Sequence, residues 1–178
     1  MAATQQHSSD PKVPMRKISG IVFIILLILC IAHAAYYYPL LPDKVASHFG
    51  VAGRPDAWSS KEFFVKIYLV AVAFVAILFP GVGFMVSKTP DNMINLPNKG
   101  YWLSPKRRQE AIDFLQQQFL WFGSATLLLL LDIMHQTFRV HLGMVKALEH
   151  PVASIVTYVA FSTLWSIYLI VKFRRQPR

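Results

Sequence analysis

Four stretches of mostly apolar sequence, each about twenty residues long, constrain this chain more than anything else in it. They run from about Ile18 to Tyr38, Phe63 to Val86, Phe114 to Met134 and Val152 to Val171. A hydrocarbon core about 30 Å thick is crossed by roughly 20 helical residues rising 1.5 Å each. Lipid offers no hydrogen-bond partners, so a spanning backbone must satisfy its own, and the alternation expected of barrel strands is absent. The sequence therefore predicts an all-α, polytopic membrane protein: four transmembrane helices in one bundle over residues 18–178. Only 15 % of the 178 residues are charged, well below the roughly 25 % of soluble domains. Residues 1–17 read as a disordered cytoplasmic tail, because MAATQQHSSDP is polar and has no core-forming pattern; His7 there carries no chemistry.

Direction follows from the distribution of positive charge. With the N-terminus inside, 12 of the 18 lysines and arginines fall on the cytoplasmic side, including Lys106, Arg107 and Arg108. This predicts cytoplasmic N- and C-termini; the expected location is the cell (inner) membrane. It also explains the net charge of +9 through topology and anionic headgroups rather than nucleic acid. The basic start, the apolar run and Ala32-His33-Ala34 also imitate a cleavable signal peptide. Tyr36, Tyr37 and Tyr38 favour a retained helix ending in an interfacial aromatic belt. Cys30, alone in an apolar run, reads as inert packing.

The first outer loop, Leu41 to Glu62, has the composition of a built structure. Val45–Phe49 suits a short extended piece, and Gly50 with Gly53-Arg54-Pro55-Asp56 supplies turn geometry. Ser59 and Glu62 have capping-box spacing for the second span. Asp43, His48, Arg54, Asp56 and Trp58 are its candidate ligand-binding residues, since loops on rigid scaffolds carry recognition; a simple lid over the bundle is the competing reading. On the other side, Ser104-Pro105 reads as a helix start. Tyr101 and Trp102 suit the headgroup layer, and Lys106, Arg107 and Arg108 suit anionic lipid. Pro80, Gly81 and Gly83 mark a place where the second span can bend.

The pattern Leu41-Pro42-Asp43, His48-Phe49, Gly53, Pro55-Asp56, Trp58 and Ser60-Lys61, followed by Leu96-Pro97-Asn98-Lys99, Tyr101-Trp102-Leu103 and Arg107-Arg108, resembles a bacterial and archaeal membrane domain of unknown function. The same domain forms the N-terminal part of SdpI-type immunity proteins. The resemblance covers about residues 18–115. It implies a helical membrane bundle with no assigned activity in most members. In the immunity relatives, which are longer by a further membrane half, it implies protection from a secreted peptide toxin and, in some, relay to a repressor.

Ionisable groups at membrane depth are expensive and usually face a partner or a wet cavity. Asp132, His135 with Gln136, and Arg139 share one helix face, and His33 lies within reach near the outer end of the first span. Three readings fit: metal ligands from Asp132 and His135, a proton, solute or peptide site, or an Asp132–Arg139 ion pair holding the bundle together. One Asp-x-x-His spacing specifies no metal, so no metal or other cofactor is expected. Nucleophile elbows, phosphate loops and paired-cysteine sites are absent from the sequence. The expectation is a non-enzymatic protein embedded in the bilayer. Its outer loop would bind an extracellular ligand such as a toxic peptide; the alternatives are a small transporter using the His/Asp site, and a structural subunit beside another membrane protein.

Overall fold

The computed structural model describes residues 15–175 apart from Val51, with side chains from Ile18 onward. Most of the tail read as disordered, His7 included, lies outside the described residues. Four long helices carry the fold: α1 (Met15–Tyr37), α2 (Lys61–Lys88), α4 (Arg108–His141) and α5 (Pro151–Arg174), with a one-turn helix α3 (Lys99–Trp102) before α4. Each of the four is long and apolar enough to cross a membrane. Between α1 and α2 stands an antiparallel hairpin, β1 (Lys44–Phe49) and β2 (Pro55–Ser60).

Helix α4 is the axis of the bundle. Helices α1 and α2 pack along one side of it, and α5 rests on another. Phe23, Cys30 and Ala34 of α1 meet Val65, Tyr68, Val72 and Val75 of α2 around Leu127, Met134 and Phe138 of α4. Between membrane helices such contacts hold by close packing and hydrogen bonding rather than by water exclusion, so small residues at crossings matter. Gly123 is the tightest of them: a Cβ there would stand 2.6 Å from Cε2 of Phe23 and 3.0 Å from Cβ of Phe79. Cys30 is buried in this core and its thiol donates to the Leu127 carbonyl at 3.7 Å. Helix α2 runs unbroken through Pro80, and the side-chain amide of Gln116 donates to the Gly83 carbonyl at 3.2 Å.

Helix α4 is longer than the apolar stretch that announces it. Its 34 residues amount to about 51 Å of helix. The polar positions at its two ends continue the helix because the bundle gives several of them partners.

The loop before α2 holds more order than one extended piece. Lys44 pairs with Ser60, Val45 with Ser59, Ala46 with Trp58, His48 with Ala57 and Phe49 with Pro55, with irregular register around His48. Gly53, at φ 68°, closes the turn and donates to the Gly50 carbonyl at 2.8 Å. Ser59 lies within β2, so the cap of α2 is its neighbour: the Ser60 hydroxyl accepts from the Phe63 amide at 3.3 Å. Ser104 likewise does not cap α4. Its hydroxyl turns back to the Tyr101 carbonyl at 2.8 Å, and the helix begins one turn later at Arg108.

At the end opposite the hairpin, α3 clamps the last turn of α5. The Trp102 indole N–H donates to the Phe173 carbonyl at 2.8 Å, and the Asn98 amide reaches the Phe173 and Arg174 carbonyls at 3.2 and 2.6 Å. The final carbonyls of a helix have no internal partner, so these donors complete it. Trp102 is accordingly buried against Phe173.

Candidate functional site

The chemistry-bearing side chains gather at the hairpin end. The hairpin is seated on α4 and on the α4–α5 connection. His141 Nε2 donates to the Ala46 carbonyl at 2.9 Å, and its ring lies against Phe49 and edge-on to Phe64. The Leu148 amide donates to the Gly53 carbonyl at 3.0 Å. Added bulk at Gly53 would meet the Leu148 carbonyl at 3.1 Å. The Lys61 amide donates to the Asp43 carbonyl at 3.0 Å where the hairpin closes. These contacts leave the two strands little freedom relative to the helices.

The five loop residues named from the sequence are spread along this hairpin, Asp43 at its open end and Arg54 in its turn, with different degrees of engagement. The Asp43 carboxylate meets Lys61 Nζ at 2.9 Å. His48 Nδ1 and Asp56 Oδ1 stand 2.5 Å apart across the hairpin, both at the surface. Arg54 lies exposed in the turn. Trp58, on β2, keeps 56 % of its surface exposed.

Beneath the hairpin, between α1, α4 and α5, the intramembrane polar residues divide into two groups. His33 Nε2 and His135 Nδ1 lie 3.3 Å apart. The His33 ring stacks on Phe138 and touches Tyr37, while its Nδ1 is buried without a hydrogen-bond partner. Asp132 turns the other way. Its Oδ2 accepts from Gln136 at 2.8 Å and from Ser154 of α5 at 2.5 Å, while Gln136 Oε1 accepts the His150 amide at 2.8 Å.

The expected Asp132–Arg139 ion pair does not form. Seven helical residues separate the two by about 10 Å along the axis, and Arg139 instead pairs with Glu149 from the following connection. Asp132 and His135 also part company, so the metal-ligand reading of that pair has no convergent geometry. Among the described residues, no group of three or more His, Cys, Asp or Glu is gathered for a metal. Sequence reasoning passed over Ser154 and His141 as working parts: one of three serines in an apolar helix, and a histidine counted as loop, carry no spacing signal.

Of the three basic residues read as lipid anchors, two have partners within the chain. The Arg108 side chain donates to Asp91 at 2.7 Å and to the Thr89 carbonyl at 3.2 Å. Arg107 lies over the Tyr101 ring at 4.5 Å and 3.8 Å from Glu110. Lys106 is exposed.

Residues 25–74 match a family model described as a domain of unknown function, DUF1648. The matched segment takes in most of α1, the whole hairpin and the first half of α2. Asp132, His135 and α5 lie outside it. No curated protein matches the chain, and no solved structure does.

Proposed function

We propose that this chain is a non-enzymatic, multi-pass protein of the cell (inner) membrane, with both termini in the cytoplasm, that binds an extracellular peptide through its hairpin. The excess of lysine and arginine at the opposite end supports that direction. The observation that carries the reading is Trp58. A tryptophan 56 % exposed, on strands held to the bundle by His141 and Leu148, is a rigid aromatic anchor of the kind that dominates recognition surfaces. Arg54 and the His48–Asp56 pair beside it offer donors and acceptors for a peptide backbone.

The test places a photo-reactive benzoyl-phenylalanine at position 58 in intact cells. A discrete peptide adduct, lost when Asp56→Ala is added, is the expected result. Adducts with phospholipid alone would make Trp58 an interfacial anchor and end the proposal.

A second reading, a small transporter, is favoured by one observation: the 3.3 Å approach of the His33 and His135 rings, which is a proton-sharing distance for two imidazoles in tandem. It predicts that His33→Gln abolishes proton uptake into proteoliposomes; undiminished uptake would discard it.

A further inference from the structure

Helices α1 and α5 both lean on α4 and leave a groove between them, with α4 as its floor. Its volume is about 620 Å³. The walls are apolar, from Val22 and Leu26 of α1, Ala125 and Leu128 of α4, and Ala153 and Phe161 of α5. Asp132 and Ser154 close its hairpin end, and Trp121 lies toward the other. Asp132 and Trp121 are eleven residues apart on one helix, so the groove runs about 16 Å along the membrane normal. That is about half of a 30 Å hydrocarbon core, the depth of one leaflet. Ser154 is in the first turn of α5, which puts the Asp132 carboxylate at the outer edge of that leaflet's hydrocarbon.

The charge of the site is unbalanced. Asp132 has neutral hydrogen-bond partners, the Gln136 amide and the Ser154 hydroxyl. Among the described residues no cation pairs with it: Arg139 is taken by Glu149, and His135 faces His33. The carboxylate is exposed toward the groove. An unpaired carboxylate at a bilayer boundary is costly, and a protonated amine, with three donors and a positive charge, removes that cost.

We propose that the groove holds a hydrocarbon chain of an aminophospholipid from the hairpin-side leaflet, with its headgroup amine received by Asp132. The inference is independent of any ligand on the hairpin. An apolar trough one leaflet deep, with a carboxylate that lacks a cation at its outer end, is complementary to an acyl chain of a lipid whose headgroup, beyond the glycerol ester and phosphate, carries an ammonium that folds back onto it.

The experiment titrates the full chain in detergent with phosphatidylethanolamine and, separately, phosphatidylcholine, and reads bound lipid by native mass spectrometry. The quaternary headgroup of phosphatidylcholine keeps its charge but cannot donate a hydrogen bond. Wild type is expected to prefer phosphatidylethanolamine, and Asp132→Asn to weaken that lipid by about tenfold to a hundredfold, the worth of a hydrogen bond to a charged group. Ala153→Phe, at a lipid-facing position, narrows the trough and is expected to weaken both lipids. Equal affinity of wild type for the two lipids overturns the proposal, as does an unchanged affinity in Asp132→Asn. Stoichiometric co-purification of another membrane protein that excludes lipid from the groove also overturns it. Should Asp132→Asn fail to fold, the headgroup comparison on wild type and Ala153→Phe decides alone.

Discussion

Replacing Gly123 with alanine adds one methyl group where α4 faces Phe23 of α1 and Phe79 of α2. The new Cβ would lie 2.6 Å from Phe23 Cε2 and 3.0 Å from both Cβ and Cγ of Phe79. Those separations are far inside the 3.5–4.0 Å optimum for carbon pairs. The Phe23 ring edge can swing, but Phe79 Cβ is tied to the backbone of α2, so a helix must move. Overpacking of this kind costs about 1–3 kcal/mol. Alanine returns about 1 kcal/mol of helix propensity relative to glycine. With the contact at the severe end of the range, the net loss is about 1–2 kcal/mol. Gly81, in the interior of α2, is the control, because a Cβ there meets nothing within 4 Å and its alanine variant collects the propensity gain alone. Thermal unfolding in one detergent, followed by tryptophan fluorescence, should place Gly123→Ala below wild type and Gly81→Ala at or above it. The two variants should differ by about 2–3 kcal/mol, the sum of those terms. A Gly123→Ala protein as stable as Gly81→Ala would refute the close three-helix approach.

Two further substitutions probe the ends of the bundle. His141→Phe keeps a ring between Phe49 and Phe64 but removes the donor to the Ala46 carbonyl, so the hairpin should lose about 1 kcal/mol of local stability; its amides should then exchange about fivefold faster by hydrogen–deuterium mass spectrometry, and unchanged exchange would show that the ring alone seats the hairpin. Trp102→Phe preserves the packing on Phe173 and loses the 2.8 Å hydrogen bond to its carbonyl. Tryptic cleavage after Arg174 should accelerate, more so when Asn98→Ala is added, and wild-type cleavage in the double variant would contradict the clamp.

The four helices were legible because twenty apolar residues in a row leave lipid few structural options. The hairpin was half legible. Val45–Phe49 carries β-formers, whereas Pro55-Asp56-Ala57-Trp58-Ser59-Ser60 has no strand-like alternation and becomes β2 only by pairing with β1. The same shift moved the cap from Ser59 to Ser60, since strand pairing extends up to the first residue of α2. At the candidate sites, the place of His33 near the outer end of the first span pointed to its approach to the Asp132–Arg139 cluster, of which it meets His135. Partner choice did not follow from spacing. A carboxylate and a guanidinium on one helix face look paired on paper, but two turns of helix hold them apart, and Glu149 returns from a connection whose course depends on the hairpin. Trp102 followed the same pattern: nothing in its local sequence names Phe173, whose carbonyl the indole reaches because α5 ends beside it.

The clamp on α5 also bears on how the chain is assembled. Synthesis proceeds from the N-terminus, so Asn98 and Trp102 are made more than seventy residues before the Phe173 and Arg174 carbonyls that receive them. Until α5 is threaded into the bilayer, these donors are without those acceptors, and the Trp102 ring lacks the Phe173 face it buries against. This contact between α3 and the end of α5 is thus available only once α5 has been made. A nascent chain stopped short of residue 173 would carry all of the three-helix core and none of the closure. Cells that degrade incompletely inserted membrane proteins would have in those uncovered donors a local mark separating chains that lack α5 from chains that have it.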